Sequence, residues 1–373
     1  MKLTIERAAL LSALAHVQSV VERRNTIPIL SNALLEARGG ALRITATDMD
    51  LAVVEKVAAT TSQEGATTVP AHTLYDIVRK LPEGAQIELA TGKEEGRVEL
   101  RSGRSRLSLA ALASEDFPVM TDGDTPTSFT VSAADLRALI DRTQFAVSTE
   151  ETRYYLNGIY LHAAKTEDGN KPVLRAVATD GHRLARVEIA LPEGAAGMPG
   201  VIVPRKTVGE LRKLIDADGE VQVSLSETKI RFAVGDVVLT SKLIDGTFPD
   251  YRRVIPANND KALTVNCEPF AHAVDLVSTI STEKSRAVKL SLGKGSLTLS
   301  ATSPDAGSAT EELEVDYKSD PMEIGFNSRY LLDITRQIGG NSAVFMLADA
   351  ASPTLVRDTS DPSAVYVLMP MRV

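Results

Sequence analysis

The chain has 373 residues, 43% of them apolar and 24% charged, with a formal net charge of −8, no tryptophan and one cysteine, Cys267. That length exceeds one ordinary core and fits two or three globular domains. A single thiol excludes an internal disulfide and suits a reducing cytoplasm, and the acidic balance argues against gripping nucleic acid over the whole surface while leaving room for a local basic face.

At the N-terminus, Glu6 and Arg7 interrupt any apolar leader, and Leu10, Leu14, Val17 and Val21 recur at helical spacing, so the segment reads as a helix and not as a signal peptide. No apolar run approaches the length of a membrane span. The opening then repeats. Leu3-Thr4-Ile5 precedes the anchor Leu10, Phe129-Thr130-Val131 precedes Leu136, and Leu263-Thr264-Val265 precedes Phe270, each at the same offset. A second echo starts from Val69-Pro70-Ala71, Val203-Pro204-Arg205 and Phe326-Asn327-Ser328. Three diverged copies of this size are domains, not solenoid units.

Each copy is predicted to be α+β, with antiparallel sheets and two helices. In the second copy Ser132 caps a helix with Asp135 at capping-box spacing, and Leu136, Leu139 or Ile140, then Thr143 form its narrow buried stripe. In the third, Pro269 is the expected first helical residue, followed by Phe270, Val274 and Val277. The second helices carry Leu74, Ile77 and Leu81, then Val208, Leu211 and Ile215, then Leu331, Ile334 and Ile338. Alternation over 289–292 and 296–299 around Gly293-Lys294-Gly295 predicts a hairpin, and Gly92-Lys93 reads as another turn. Boundaries in the polar stretches 121–127 and 257–261 give domains 1–127, 128–257 and 258–373.

Little in the chain suggests catalysis. His16, His72, His162, His182 and His272 lack helical metal-pair spacing, and no phosphate-binding loop is present, so neither metal nor cofactor is expected. Asp180, His182 and Arg183 stand close enough for acid–base work, or else form a tight turn at Asp180-Gly181; no nucleophile elbow accompanies them. Cations cluster on or near the predicted helices: Arg23, Arg24, Arg79, Lys80, Arg137, Arg142, Arg205, Lys206, Arg212, Lys213, Arg329 and Arg336. They are either solvated faces or one basic surface that meets phosphates without reading bases.

Five segments carry a resemblance. They are Arg153-Tyr154-Tyr155-Leu156-Asn157-Gly158, the run 178–185, Val201-Ile202-Val203-Pro204-Arg205-Lys206, Gly246-Thr247-Phe248-Pro249-Asp250-Tyr251-Arg252-Arg253-Val254, and Met369-Pro370-Met371-Arg372-Val373. Together and in this order they resemble the bacterial β sliding clamp family, the processivity subunit of the DNA polymerase III holoenzyme. The resemblance implies a non-catalytic, cytoplasmic protein of DNA replication. It would form a head-to-tail homodimeric ring, with helices around a hole that duplex DNA passes through and sheets outside. It also implies DNA contacts at Arg24, Tyr154 and Arg153, although Glu150 stands at a matched position where the best-known relative carries a neutral polar residue.

A pocket between the second and third domains is implied for a short motif, with a Gln and apolar residues, borne by the clamp loader, the polymerase III catalytic subunit and other partners. Its matching positions are Leu156, Thr179, Gly181, His182, Arg183, Leu184, Pro249, Arg253, Val254, Val367, Met369, Pro370, Met371 and Arg372. The apolar, Met-containing end supports this independently: such a stretch is expected to dock, and methionine adapts to differing ligands. The ring interface would join Arg104, Arg106 and Leu107 to Thr279, Ile280, Asp305 and Glu311. Gly307, Ser308 and Thr310 thin the expected acidic run, so the interface should rest on strand pairing and packing more than on salt bridges.

Overall fold

The computed structural model describes residues 1–92, 96–121, 123–216, 218–281 and 286–373. Lys93 of the expected Gly92-Lys93 turn lies outside them. Among the described residues there are six α-helices: α1 (Arg7–Gln18), α2 (Ala71–Lys80), α3 (Ala133–Asp141), α4 (Arg205–Leu214), α5 (Cys267–Ser278) and α6 (Ser328–Thr335). Each repeat therefore contributes two, as its periodicity predicts. None of them is long and apolar enough to cross a membrane.

Local chemistry explains where these helices begin. The Glu6 carboxylate accepts from the Ala9 N–H at 3.1 Å and caps α1. At α3, the Ser132 hydroxyl accepts from the Asp135 N–H at 3.0 Å and donates to the Asp135 carboxylate at 2.7 Å. Helix α5 starts earlier than expected. Asn266 caps it by accepting from the Glu268 N–H, which places Pro269 third in the helix. A proline is harmless there, because the first four N–H groups of a helix have no intrahelical acceptor. The stripe of α2 also differs from expectation: Ala71, Leu74 and Val78 are buried, and Ile77 and Leu81 are only half-buried.

The chain forms two compact units. One comprises Met1–Arg137, Pro192–Pro199 and Lys206–Leu243, the other Ala138–Leu191, Gly200–Arg205 and Ile244–Val373. The first holds a five-stranded and an eight-stranded sheet, the second a nine-stranded and a four-stranded sheet. Every strand pair among the described residues is antiparallel, as predicted for each repeat.

Pairing across repeats explains why three copies make two units. Strand Val237–Lys242 of the second copy pairs with Leu51–Ala58 of the first, and strand Arg183–Ala190 pairs with Ala364–Leu368 of the third. The second copy is thus divided between two continuous sheets. The predicted hairpin is present: Gly293 pairs with Ser296 around Lys294-Gly295, and Gly295 takes a φ of 76°, which glycine adopts without strain.

Candidate functional site

The site lies within the second unit, on one face of its nine-stranded sheet. Side chains alternate along strands, so register decides which residues share that face. Thr179 pairs with Leu184, Leu184 with Val367, and Val367 with Leu355. These residues form the apolar end. Two residues along each strand, Val177 pairs with Arg186, Arg186 with Val365, and Val365 with Arg357, and there the face turns charged.

At the apolar end Leu156, Val177, Leu184, Ile202, Phe248, Tyr251, Leu355, Val365 and Val367 make one buried cluster, with Tyr155, Tyr160 and Ile255 packed on it. Three chain segments that enter this cluster each carry an exposed large apolar side chain: Tyr154 at 54%, Val254 at 50% and Met369 at 40%. Pro249 and Arg253 are exposed on the segment that holds Phe248 and Tyr251. That segment closes in at Gly246, where a Cβ would stand 3.1 Å from the Tyr155 Cβ. Any larger residue there would press on Tyr155, which would have to give by a few tenths of an ångström.

The 179–183 stretch is a tight turn. The Asp180 carboxylate accepts from the His182 and Arg183 N–H groups at 2.9 and 3.0 Å, and the Thr179 hydroxyl donates to the Arg183 carbonyl at 2.7 Å. Gly181 takes a φ of 87°. Arg183 is 7% exposed and belongs to the opposite sheet face. Its guanidinium pairs with Asp180 at 3.1 Å and Asp333 at 2.6 Å and lies over the rings of Phe145 and Tyr330 at 5.1 and 4.3 Å. Asp180 is thereby committed to the turn, and His182 is exposed beside the Tyr330 ring at 6.4 Å. Here the close spacing of Asp, His and Arg serves structure.

The C-terminal stretch is docked. The Met369 N–H donates to the His182 carbonyl and the Met371 N–H to the Gly325 carbonyl, both at 2.9 Å. Pro370 and Met371 are half-buried and Arg372 is exposed. Arg153 is drawn toward the same turn: it pairs with Glu150 at 3.2 Å and donates to the Asp180 carbonyl at 3.4 Å. Glu150 is therefore the counter-ion of a neighbouring arginine.

At the charged end the face borders a cavity of about 1330 Å³. Of the pocket positions expected from sequence, only Pro249 lines it. One hydrogen-bond chain fixes its wall. The Arg175 guanidinium donates to the Tyr251 hydroxyl at 2.8 Å, and that hydroxyl meets His162 Nε2 at 3.1 Å. His162 Nδ1 faces the Ala163 carbonyl at 3.0 Å and so carries the hydrogen, which leaves Nε2 to accept from Tyr251. Burial lowers the His162 pKa below its ordinary 6.5 and keeps the ring neutral, with Arg175 and Arg252 acting the same way.

Comparison with known proteins decides the family. Three domain profiles match in chain order: the N-terminal domain of the DNA polymerase III beta subunit over residues 1–121, its central domain over 130–250 and its C-terminal domain over 252–372. The chain belongs to the DNA polymerase III β sliding clamp family. It is 56% identical to the beta sliding clamp of Caulobacter vibrioides over 374 residues, and 42% identical to that of Escherichia coli K12 over 375, with full coverage of both chains in each case. Among solved structures, a sliding clamp from Bartonella birtlesii bound to griselimycin superposes with a TM-score of 0.97 at 52% identity, covering 100% of each chain. A Caulobacter crescentus clamp with polyethylene glycol in its putative β-motif tethering region also gives 0.97, at 56% identity and 100% and 99% coverage. The protein is accordingly a non-catalytic processivity factor of DNA polymerase III.

Two further surfaces of this clamp carry residues expected to bind. Strand Ser105–Ala110 is one outer strand of the five-stranded sheet, and Gly307–Glu314 one outer strand of the four-stranded sheet. Arg104 and Arg106 are exposed and Leu107 half-buried at the first edge; at the second, Asp305 and Thr279 are exposed and Glu311 and Ile280 half-buried. Leu276 is 49% exposed on α5, and Glu312 and Glu314 are exposed on strand Gly307–Glu314; the sequence pattern did not single them out. Arg24 is exposed after α1.

The helix cations are less uniform than expected. Lys206 lies between Glu22 at 3.1 Å and Asp48 at 2.5 Å. Arg142 turns inward onto Asp361 and the Tyr366 hydroxyl, because a half-buried guanidinium must find acceptors. Among the described residues no three His, Cys, Asp or Glu side chains are grouped to hold a metal ion.

Proposed function

We propose that this clamp works as a head-to-tail homodimeric ring of six domains, bounded in each chain as 1–127, 128–257 and 258–373, that encircles duplex DNA in the cytoplasm. Its apolar pocket receives the short motif of the clamp loader, the polymerase III catalytic subunit and other replication and repair proteins. One observation carries the peptide reading: a buried apolar floor at Leu156, Leu184 and Val367 beside large apolar side chains left in solvent at Tyr154, Val254 and Met369. Exposed apolar groups gathered around a hydrophobic floor mark a binding surface. Arg183 takes a positioning role, holding the 179–183 turn in shape from behind.

DNA contact is assigned to Arg24, Tyr154 and Arg153, the last with its charge partly offset by Glu150. A closed ring holds DNA by enclosure, so each phosphate contact can stay weak and movable. The ring interface pairs the basic edge at Arg104 and Arg106 with the acidic edge at Asp305 and Glu311, to which Glu312 and Glu314 add charge. Leu107, Leu276, Thr279 and Ile280 supply its packing.

The peptide reading is tested by titrating a fluorescent peptide bearing a Gln and two apolar residues. Val254→Asp and Met369→Ala change exposed side chains and should leave the melting temperature unchanged. Each should weaken the peptide by about tenfold or more, the scale of losing a buried apolar contact. Unchanged affinity in both variants would remove the pocket from the account.

A further inference from the structure

The charged cavity is not explained by a socket for apolar residues. Three guanidiniums there share two carboxylates. Arg175 meets Glu188 at 2.7 Å, Arg186 meets Glu167 at 2.8 Å and Glu188 at 3.4 Å, and Arg357 reaches Glu167 at only 3.6 Å. The buried Arg186 Nε makes no hydrogen bond. The remaining charges bordering the cavity do not cancel this surplus. Asp250 is paired with Arg252 and Arg253, and Lys165 offsets the charge of Asp358, which accepts from the Gly339 and Gly340 N–H groups and Ser360. A positive excess in a cavity on a chain of net charge −8 is a local feature that calls for an anion.

The cavity also adjoins the buried cluster beneath the apolar pocket. Phe248, Tyr251 and Leu355 belong both to the buried cluster and to the cavity wall. Arg186 follows Leu184 by two residues on one strand, and Arg357 follows Leu355 by two on another, a separation of about 7 Å. An extended peptide covers that distance in about two residues, and a few more carry it around Phe248 and Pro249.

We propose that this cavity accepts a carboxylate side chain of the same partner peptide whose apolar residue fills the pocket, so that an acidic residue near the motif is read as well as its apolar anchor. The proposal rests on the peptide reading of the pocket. Burial alone would raise the Glu167 carboxyl, but Arg186 and Arg357 bring it below its ordinary range, so it stays ionised, and the three guanidiniums and two carboxylates together leave one positive charge.

The test uses matched peptides that carry Glu or Gln at the second, third or fourth position beyond the apolar anchor, on either side, titrated into the full-length clamp. The wild type should prefer one Glu peptide over its Gln twin by about three- to tenfold, the range of a partly solvated charge pair. Arg357→Gln, which leaves Glu167 paired with Arg186, should bring the ratio to near unity without changing affinity for the Gln peptide. Glu167→Gln should raise the ratio. Equal and tight binding of every Glu and Gln pair would overturn the carboxylate site alone, as would a preference that survives Arg357→Gln. Absence of binding by any peptide would overturn the pocket reading and this extension together.

Discussion

Two histidines set opposite pH dependences. His16 hydrogen-bonds to Glu55 at 2.8 Å, and that bond raises its pKa above 6.5 against the effect of burial. Its stabilisation is present below pH 6.5 and is lost as pH rises through the higher folded value. His162 is the reverse: its folded pKa lies below 6.5, so stability falls as pH drops from 6.5 toward that value, where Tyr251 would face a charged ring already close to Arg175. Thermal melts across roughly pH 5 to 8 should show a shallower acid-side decline in His162→Gln and a shallower alkaline-side decline in His16→Gln. Identical profiles in all three proteins would refute the assignment. Arg183→Ala should cost about 3–5 kcal/mol in urea unfolding, because it leaves Asp180 and Asp333 without their buried partner. A loss below about 1 kcal/mol, the range of a surface pair, would make Arg183 dispensable.

Among the elements, helices were more legible than strand faces. The Ser132–Asp135 cap and the stripes at Leu10, Leu136 and Phe270 appear as read, because helical periodicity and capping are local in sequence. The α5 start was misplaced because Asn266 offers a side-chain acceptor that outweighs proline's preference for the first position. The floor of the pocket could not be read from pattern alone. Leu184 and Val367 meet through a register between strands nearly two hundred positions apart, and only the resemblance brought them together. Phe248 and Tyr251 went unassigned since their segment has no period; Gly246 was the available signal, a glycine where backbone passes close to Tyr155. The docked C-terminus depends on another glycine, for a Cβ at position 325 would fall 2.6 Å from the Met371 carbonyl oxygen. Gly325→Ala should displace residues 369–373, increase their cleavage by carboxypeptidase and lower peptide affinity several-fold. Unaltered digestion and affinity would show that this bridge does not shape the pocket.

At the scale of the whole molecule, repetition was the strongest sequence signal, and two helices per repeat follow from it. What repetition concealed is that sheets run on across repeats, so that the central copy contributes strands to both units. The outer strands Ser105–Ala110 and Gly307–Glu314 leave backbone donors and acceptors unused, and they carry opposite charge. Such edges invite pairing with another chain, and unlike edges give a head-to-tail contact that closes by rotation. Leu276→Asp should shift the protein toward monomers in sedimentation, whereas raising salt should change dimer dissociation only modestly if, as proposed, strand pairing and packing carry most of the interface. A dissociation constant that climbs steeply with salt would contradict that balance.

Whether the protein forms a ring is answered most simply by negative-stain imaging of the purified protein at moderate salt. Closed rings of two protomers around an open centre are expected. Compact monomers without a hole would contradict the ring.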